Sequence, residues 1–223
     1  MPIYALHGNL GAPSDWDRIG LDELVARNLW AESDRNFRTW AIDFCTEIPA
    51  GSENVLVGYS MGGRLTLHAL IAAPDLWKRA VIVSAHPGLE CPEDRLARRS
   101  SDQVWAKHAR ELPWEEFLQK WNAQGVLAGQ EPSAAQRELE SRRESVARAF
   151  ENWSLGAQED LRERLARIST PVTWVTGERD AKFSALAAEM AALMPNGEHV
   201  VLPDCGHRVL FEKPEALARL LGS

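Results

Sequence analysis

Gly58-Tyr59-Ser60-Met61-Gly62-Gly63 follows the apolar run Val55-Leu56-Val57 and precedes a helix-like run that begins at Arg64. A G-x-S-x-G pattern between a strand and a helix is typical of a nucleophile elbow, a sharp turn that presents a serine hydroxyl at the carboxyl edge of a sheet. Glycine suits such a turn, because it has no Cβ where the strand and the helix crowd each other. The alternative is a glycine-rich turn without a chemical role. The flanking runs favour the elbow, with Ser60 as the reactive residue.

Composition limits the classes of protein that this chain can belong to. Its 223 residues are 45% hydrophobic and 26% charged, which suits one domain with an insertion. The formal net charge of −7 disfavours nucleic acid or an anionic membrane as the main partner, since both favour basic surfaces. No apolar run approaches the roughly 20 residues of a membrane span, and no signal-like segment opens the chain. We therefore expect a cytoplasmic protein.

The cysteines agree with that location. Cys45, Cys91 and Cys205 are odd in number and widely spaced. This pattern is typical of reduced thiols rather than of a disulfide framework or a metal site.

Short β-rich runs alternate with helical stretches, which predicts an α/β fold with a mostly parallel, doubly wound sheet. The predicted strands are residues 3–6, 37–42, 54–57, 80–83, 172–176 and 199–202. The clearest predicted helices are residues 61–72, 183–193 and 214–221.

Residues 90–159 break this alternation. The segment has no convincing strand, many Arg, Glu, Gln and Ala residues, and four tryptophans. We predict a helical insertion there. Insertions at the carboxyl edge of a parallel sheet lie over the crevice where ligands bind, so we expect a cap on a core formed by residues 1–89 and 160–223.

A serine hydroxyl becomes an effective base or nucleophile when an imidazole takes its proton and a carboxylate orients that imidazole. Asp180 and His207 each follow the end of a later predicted strand. We therefore predict a catalytic triad of Ser60, Asp180 and His207. Glu178 and Asp204 are rival acids. Asp180 as a helix N-cap and His207 as a surface turn residue are the alternatives.

The first predicted strand ends in His7-Gly8-Asn9-Leu10-Gly11. A glycine-rich loop at this position lets a backbone N–H face a developing negative charge, together with the amide that follows the reactive serine. The predicted oxyanion-hole donors are Asn9 and Met61, with Leu10 as the alternative to Asn9. We expect His7 to brace the loop by hydrogen bonds rather than to transfer protons.

Several segments match one enzyme family. They are residues 7–11, Asp15-Trp16, residues 58–64, His86-Pro87-Gly88-Leu89, Arg95 to Arg99 with Trp105-Ala106, Ser154 to Gln158 with Asp160-Leu161, residues 177–183, and Gly206-His207. On these residues the chain resembles the α/β-hydrolase superfamily throughout. Within it, the chain resembles the 2-succinyl-6-hydroxy-2,4-cyclohexadiene-1-carboxylate synthases of menaquinone biosynthesis.

Two departures from the family pattern affect the expected fold and site. The two leading strands that are common in this superfamily are expected to be absent. The family's Asp-x-Pro-Gly-His-Gly loop is replaced here by Phe44 to Pro49, which shortens one wall of the predicted site.

The resemblance implies a carbon–oxygen lyase rather than a hydrolase. In that family the serine of the triad removes a proton from 2-succinyl-5-enolpyruvyl-6-hydroxy-3-cyclohexene-1-carboxylate, and pyruvate leaves. The substrate carries several carboxylates, which arginine's planar guanidinium binds well. We expect Arg64, one turn past Ser60, to face the cleft.

The resemblance also implies substrate-binding residues in the cap and beside the serine. Of Arg95, Arg98 and Arg99, we choose Arg98 as one carboxylate-binding residue. Of Arg142, Arg143 and Arg148, we choose Arg143 as another. Trp121 and Tyr59 are the two aromatic residues expected to contact the substrate. The alternatives are solvated arginines and aromatic residues that pack in the core.

Two other functions remain open. A hydrolase of small esters or of carbon–carbon bonds would use the same triad, and a non-catalytic ligand-binding module could use the same fold. The sequence contains no metal-ligand cluster, phosphate loop or nicotinamide fingerprint, so no cofactor is predicted. The expected partner is a small polycarboxylate substrate, bound by a monomer or a small homo-oligomer.

Overall fold

The computed structural model describes residues 1–50, 53–125, 127 and 131–222. Six strands form a single sheet in which every neighbouring pair is parallel, in the order β2-β1-β3-β4-β5-β6. The strands are β1 (Ile3–Leu6), β2 (Leu24–Arg27), β3 (Val55–Tyr59), β4 (Arg79–Val83), β5 (Val172–Gly177) and β6 (Gly197–Leu202). The predicted mostly parallel α/β sheet is confirmed.

Helices cover both faces of this sheet, because its central strands are apolar on both sides. They are α1 (Phe37–Thr46), α2 (Met61–Ala72), α3 (Pro92–Glu111), α4 (Trp114–Asn122), α5 (Ala134–Glu138), α6 (Arg143–Asn152), α7 (Arg162–Leu165), α8 (Ala181–Leu193), α9 (Val209–Glu212) and α10 (Pro214–Gly222). Short 3-10 helices occupy Pro13–Ile19, Leu29–Ala31, Pro74–Leu76 and Leu139–Arg142.

The strand predicted at residues 37–42 is wrong, because this segment begins helix α1. Asn36 caps the helix, and its side-chain oxygen accepts a hydrogen bond from the amide of Thr39 at 2.9 Å. The buried side chains follow a helical spacing; they are Phe37, Trp40, Ala41 and Phe44. Strand β2, which was not predicted, takes the edge position beside β1.

Helices α3 to α6 lie between β4 and β5 in the chain. An aromatic cluster joins three of them: Trp121 lies 5.2 Å from Trp105 and 5.0 Å from Phe150, measured between ring centroids. Trp153 connects this group to α1 through an edge-on contact with Trp40 at 6.3 Å. Helices α3, α4 and α6 therefore share a packed interior, and the Trp153–Trp40 contact joins the end of α6 to α1.

Across the described residues, no helix has both the length and the apolar character needed to cross a bilayer. All three cysteines carry free thiols.

Candidate active site

The turn at Ser60 has the geometry of a nucleophile elbow. Ser60 has φ 53° and ψ −108°, a left-handed conformation that is costly for a residue other than glycine. Its amide donates to the carbonyl oxygen of Val83 at 2.8 Å, which anchors the strained residue to β4. A Cβ on Gly62 would press against the backbone carbonyls of Leu6 and His7. Glycine is therefore required where α2 passes the end of β1.

The predicted triad residues meet above this turn. His207 Nδ1 lies 2.6 Å from Asp180 Oδ2, and His207 Nε2 lies 3.5 Å from Ser60 Oγ. Asp180 and His207 are each only 8% exposed. A carboxylate only accepts hydrogen bonds, so Nδ1–H donates to Asp180 and Nε2 is left to accept the Ser60 proton. The serine contact is at the long limit of a hydrogen bond, and such contacts commonly shorten when substrate binds.

The rival acids lie elsewhere. The Glu178 carboxylate accepts a hydrogen bond from the amide of Asp204 at 3.1 Å, and both residues are exposed. Asp180 does occupy the N-cap position of α8, but its side chain makes no capping hydrogen bond there, so capping does not account for the carboxylate. The geometry supports Asp180 as the partner of His207.

The loop after β1 carries two candidate donors, the amides of Asn9 and Leu10. The Leu10 amide donates to the Asn9 side-chain oxygen at 3.0 Å, and Leu10 has φ 52°. Within the described ranges, no acceptor contacts the amide of Asn9 or that of Met61. The structure thus engages the Leu10 amide locally and leaves the Asn9 and Met61 amides open to a ligand.

His7 braces the same loop. Its Nε2 accepts a hydrogen bond from the Leu29 amide at 3.2 Å, so Nδ1 carries the proton and donates to the Gly8 carbonyl at 2.9 Å. Burial lowers the pKa of His7 to about 4. The side chain is therefore neutral at pH 7 and is committed to two backbone groups.

Arg64 is a buried cation beside this centre. It is 8% exposed, and its Nη1 donates to the Trp153 carbonyl at 2.6 Å. Burial lowers the pKa of Arg64 to about 9, the nearby Arg98 charge acts in the same direction, and Asp102 opposes them. The guanidinium remains charged at pH 7, so the solvated-arginine alternative does not apply to Arg64.

The buried His86 feels the positive charges of four side chains. Burial lowers the pKa of His86 to about 4, and the positive charges of Lys182, Arg162, Arg64 and Arg98 lower it further. The Phe183 ring lies between His86 and the triad, because its centroid lies 6.4 Å from that of His86 and 4.5 Å from that of His207. His86 and the triad are therefore joined through the Phe183 ring.

Tyr59 and Trp121 line a small cavity of about 60 Å³ next to the Gly8–Gly11 loop. The Tyr59 ring centroid lies 5.9 Å from that of His207. Burial raises the pKa of the Tyr59 hydroxyl, so the group is neutral at pH 7. The structure thus brings both aromatic residues to the loop that carries Asn9, although Trp121 also packs in the aromatic cluster.

The contacts of Arg143 lie at the carboxyl end of α3 and do not involve the other predicted substrate-binding residues. Its Nη1 donates to the carbonyl oxygens of Arg110 at 3.1 Å and of Leu112 at 3.5 Å, and its Nη2 lies 3.3 Å from the Glu140 carboxylate. These contacts hold the carboxyl end of α3. They do not join Arg143 to Arg64 or Arg98.

Two polar residues near the arginines were missed in the sequence. Asp102 is 3% exposed and binds Arg98 Nε through both carboxylate oxygens, at 3.0 and 2.9 Å. Ser154 donates its hydroxyl proton to Asp102 Oδ2 at 2.7 Å. The spacing of Asp102, four residues after Arg98 on a predicted helix, was the available signal.

Among the described residues, no group of three or more His, Cys, Asp and Glu side chains could hold a metal ion.

A six-stranded parallel sheet with a strained serine elbow and an acid–histidine–serine contact defines the class of protein. The chain belongs to the alpha/beta hydrolase family, whose sequence profile matches residues 3–220. Within this family it resembles 2-succinyl-6-hydroxy-2,4-cyclohexadiene-1-carboxylate synthase. It is 38% identical to the enzyme of that name from Klebsiella pneumoniae over 179 residues, which cover 75% of this chain and 68% of the relative. It is 37% identical to the Salmonella newport enzyme over 176 residues, which cover 74% and 67%.

Solved structures show the same fold. The chain superposes on MenH from S. aureus with a TM-score of 0.87 at 22% identity, covering 99% of this chain and 91% of that one. It superposes on an esterase from Thermogutta terrifontis with a TM-score of 0.75 at 21% identity, covering 100% and 88%.

Proposed function

We propose that this protein is a lyase of menaquinone biosynthesis. It converts 2-succinyl-5-enolpyruvyl-6-hydroxy-3-cyclohexene-1-carboxylate to 2-succinyl-6-hydroxy-2,4-cyclohexadiene-1-carboxylate and eliminates pyruvate. The observation that carries the assignment is a pair of arginines, Arg64 and Arg98, whose charges act on each other and on His86. The Phe183 ring joins His86 to His207 of the triad. An ester pocket needs no such charge, whereas a polycarboxylate does. The identity to relatives that carry this enzyme's name supports the same assignment.

The reaction is an elimination across the ring. The C2 proton is acidic because the succinyl carbonyl is attached to C2. Ser60 Oγ takes this proton while His207 Nε2 takes the serine proton, and Asp180 stabilises the imidazolium that forms. The C2–H electrons form C2=C3, the C3=C4 pair moves to C4=C5, and the C5–O bond breaks. The leaving group is the enolate of pyruvate, and one proton added at its carbon, which balances the proton taken from C2, gives pyruvate, so no water is consumed.

The remaining site residues stabilise this change. The amides of Asn9 and Met61 donate to the enolate oxygen that develops on the succinyl carbonyl. Arg64 and Arg98 bind substrate carboxylates, and Tyr59 and Trp121 contact the ring region. Arg143, which is tied to the end of α3, is left out of this set.

The two-part organisation of the chain belongs to the same proposal. Residues 90–159 act as a cap, and residues 1–89 and 160–223 form the hydrolase core. The supporting observation is that α3 carries Arg98 and α4 carries Trp121, so this segment supplies one wall of the cleft. The protein acts in the cytoplasm, a reducing compartment that suits its free thiols. It acts there as a monomer or small homo-oligomer.

Pyruvate release tests this function. Purified protein is incubated with the enolpyruvyl substrate, and pyruvate is followed by its reduction with excess NADH and lactate dehydrogenase. Ser60→Ala is the control, because it removes the proposed base. We expect pyruvate release from the wild-type protein and almost none from the variant. Equal background release from both proteins would overturn the assignment.

A hydrolase of small esters or of carbon–carbon bonds is the second candidate, because the triad and the free amides suit acyl transfer equally well. It predicts a burst of p-nitrophenol from p-nitrophenyl acetate as the acyl-enzyme forms. The lyase assignment predicts feeble ester turnover without a burst.

A further inference from the structure

One turn contacts Arg64, the carboxylate that binds Arg98, and the segment that carries His86. In the turn at residues 153–158, the Trp153 carbonyl accepts a hydrogen bond from Arg64 Nη1 at 2.6 Å. The next residue, Ser154, donates to Asp102 Oδ2 at 2.7 Å. At the other end, Gln158 Nε2 donates to the His86 carbonyl at 3.0 Å. The six residues of this turn thus connect helix α2, helix α3 and the segment that carries His86.

The turn rests directly on helix α3. A Cβ on Gly156 would lie 2.6 Å from the Arg99 amide nitrogen and would press against the Arg95 carbonyl. Only glycine permits this approach of two backbones. The spacing between the turn and the helix that carries Arg98 and Asp102 is therefore fixed by backbone contact.

Asp102 sets the orientation of Arg98. Both of its oxygens bind the Nε atom of Arg98, and within the described residues no hydrogen bond engages either Nη atom of Arg98. The Arg98 side chain is 42% exposed, whereas that of Asp102 is 5% exposed. A buried carboxylate is costly unless it is paired, and Asp102 has both Arg98 and Ser154 as partners.

We propose that Asp102, held by Ser154, is a positioning residue for substrate binding. It fixes the Arg98 guanidinium by its Nε so that both Nη groups face the same substrate carboxylate region as Arg64. This inference rests on the proposed function and deepens it, because it names a residue that acts through Arg98 without touching the substrate.

Because Asp102 is negatively charged, neutralising it distinguishes positioning of Arg98 from a general effect on the charge of the cleft. If Asp102 only reduced the positive potential of the cleft, its neutralisation would strengthen binding of an anionic substrate. If it positions Arg98, neutralisation weakens binding although the cleft becomes more positive. We expect Asp102→Asn to raise KM for the enolpyruvyl substrate about tenfold while kcat stays within about threefold.

Two further variants isolate the route through Arg98. In an Arg98→Ala background, adding Asp102→Asn is expected to leave KM unchanged, since the group being positioned is already gone. Glu144→Gln is the matched control. It neutralises an exposed carboxylate that pairs with Arg110, an arginine on the same helix as Arg98, and it should leave KM unchanged. Thermal unfolding confirms that each variant is folded.

The outcomes separate this inference from the proposed function. An unchanged or lowered KM in Asp102→Asn, or an equal loss in the Arg98→Ala background, would overturn the positioning role. If the wild-type protein releases no pyruvate, the proposed function fails and citrate serves as a tricarboxylate probe in calorimetric titration. Weaker citrate binding by Asp102→Asn than by wild type then still supports positioning. Equal binding, or none by either protein, overturns it.

Discussion

Asp180 Oδ2 and His207 Nδ1 lie 2.6 Å apart, and both side chains are almost fully buried. The contact fixes which imidazole nitrogen carries the proton and points the other at Ser60. The other nitrogen, Nε2, lies 3.5 Å from the Ser60 hydroxyl oxygen.

Replacing Asp180 by Asn is expected to lower kcat about a thousandfold or more, because an amide can bind His207 in the wrong tautomer. KM should change little. The measurement is pyruvate release under saturating substrate. Asp204→Asn is the matched control, since the exposed Asp204 contacts Glu178 only through its backbone amide, and it should keep kcat within about twofold. Comparable losses in the two variants would contradict the assignment of the acid.

Arg64→Lys is expected to raise KM about tenfold, because a lysine ammonium cannot bind the Trp153 carbonyl and a carboxylate with a planar fork. Steady-state kinetics with the enolpyruvyl substrate provides the measurement. Arg148→Lys, in an exposed pair with Glu144, should leave KM unchanged. A wild-type KM for Arg64→Lys would show that the guanidinium geometry is not used.

Three buried histidines predict acid sensitivity. Burial lowers the pKa of His7 and His86 to about 4 and that of His68 to about 3, against an ordinary value of 6.5. Below pH 6.5 the unfolded chain therefore binds protons that the folded chain does not. The free energy of unfolding is highest above pH 6.5 and falls as the pH drops towards 4, by up to about 1.4 kcal/mol per pH unit for each histidine.

Urea unfolding at pH 7, 6 and 5 measures this slope. His68→Gln, which removes one of the three groups, should reduce the slope by about one third even if it lowers stability at every pH. An identical slope in the wild type and the variant would exclude His68 as a contributor.

Gly62→Ala is expected to destabilise the fold by about 3 kcal/mol, because the new methyl group meets backbone carbonyls that cannot move without shifting β1. Gly125→Ala is the control, since a Cβ there meets nothing within 4 Å. Chemical denaturation should separate the two variants clearly. Equal free energies of unfolding for the two variants would mean that α2 can move away from β1 with little loss of stability.

The sequence predicted the sheet interior better than its edges. Strands β3 and β4 are continuous apolar runs, whose burial on both faces leaves a strong pattern. Strand β2 pairs on one side only and has three partly buried residues and the exposed Val25, so its pattern is weak. Residues 37–42 contain aromatic and β-branched side chains that favour a strand locally. The helical spacing of Phe37, Trp40 and Phe44 outweighs that preference once α1 packs on α2.

In the site, too, some residues could be predicted from the sequence and others could not. Ser60, Asp180 and His207 stand at strand ends, and topology alone brings such positions together. The partners of Arg143 depend on how α3, α6 and the helix between residues 139 and 142 meet, which spacing along the chain does not determine. Ser154 reaches Asp102 across 52 residues, so no local pattern could reveal the pair.

The contact of Gly62 with the end of β1 has an entropic consequence. The amides of Asn9 and Met61 belong to two backbones that touch at this glycine, so backbone contact limits how far the two amides can move apart. In the proposed reaction, neither amide has rotational freedom to lose when negative charge develops on the substrate. The alignment that the proposal requires is established when the chain folds, and each turnover would use it without reordering the protein.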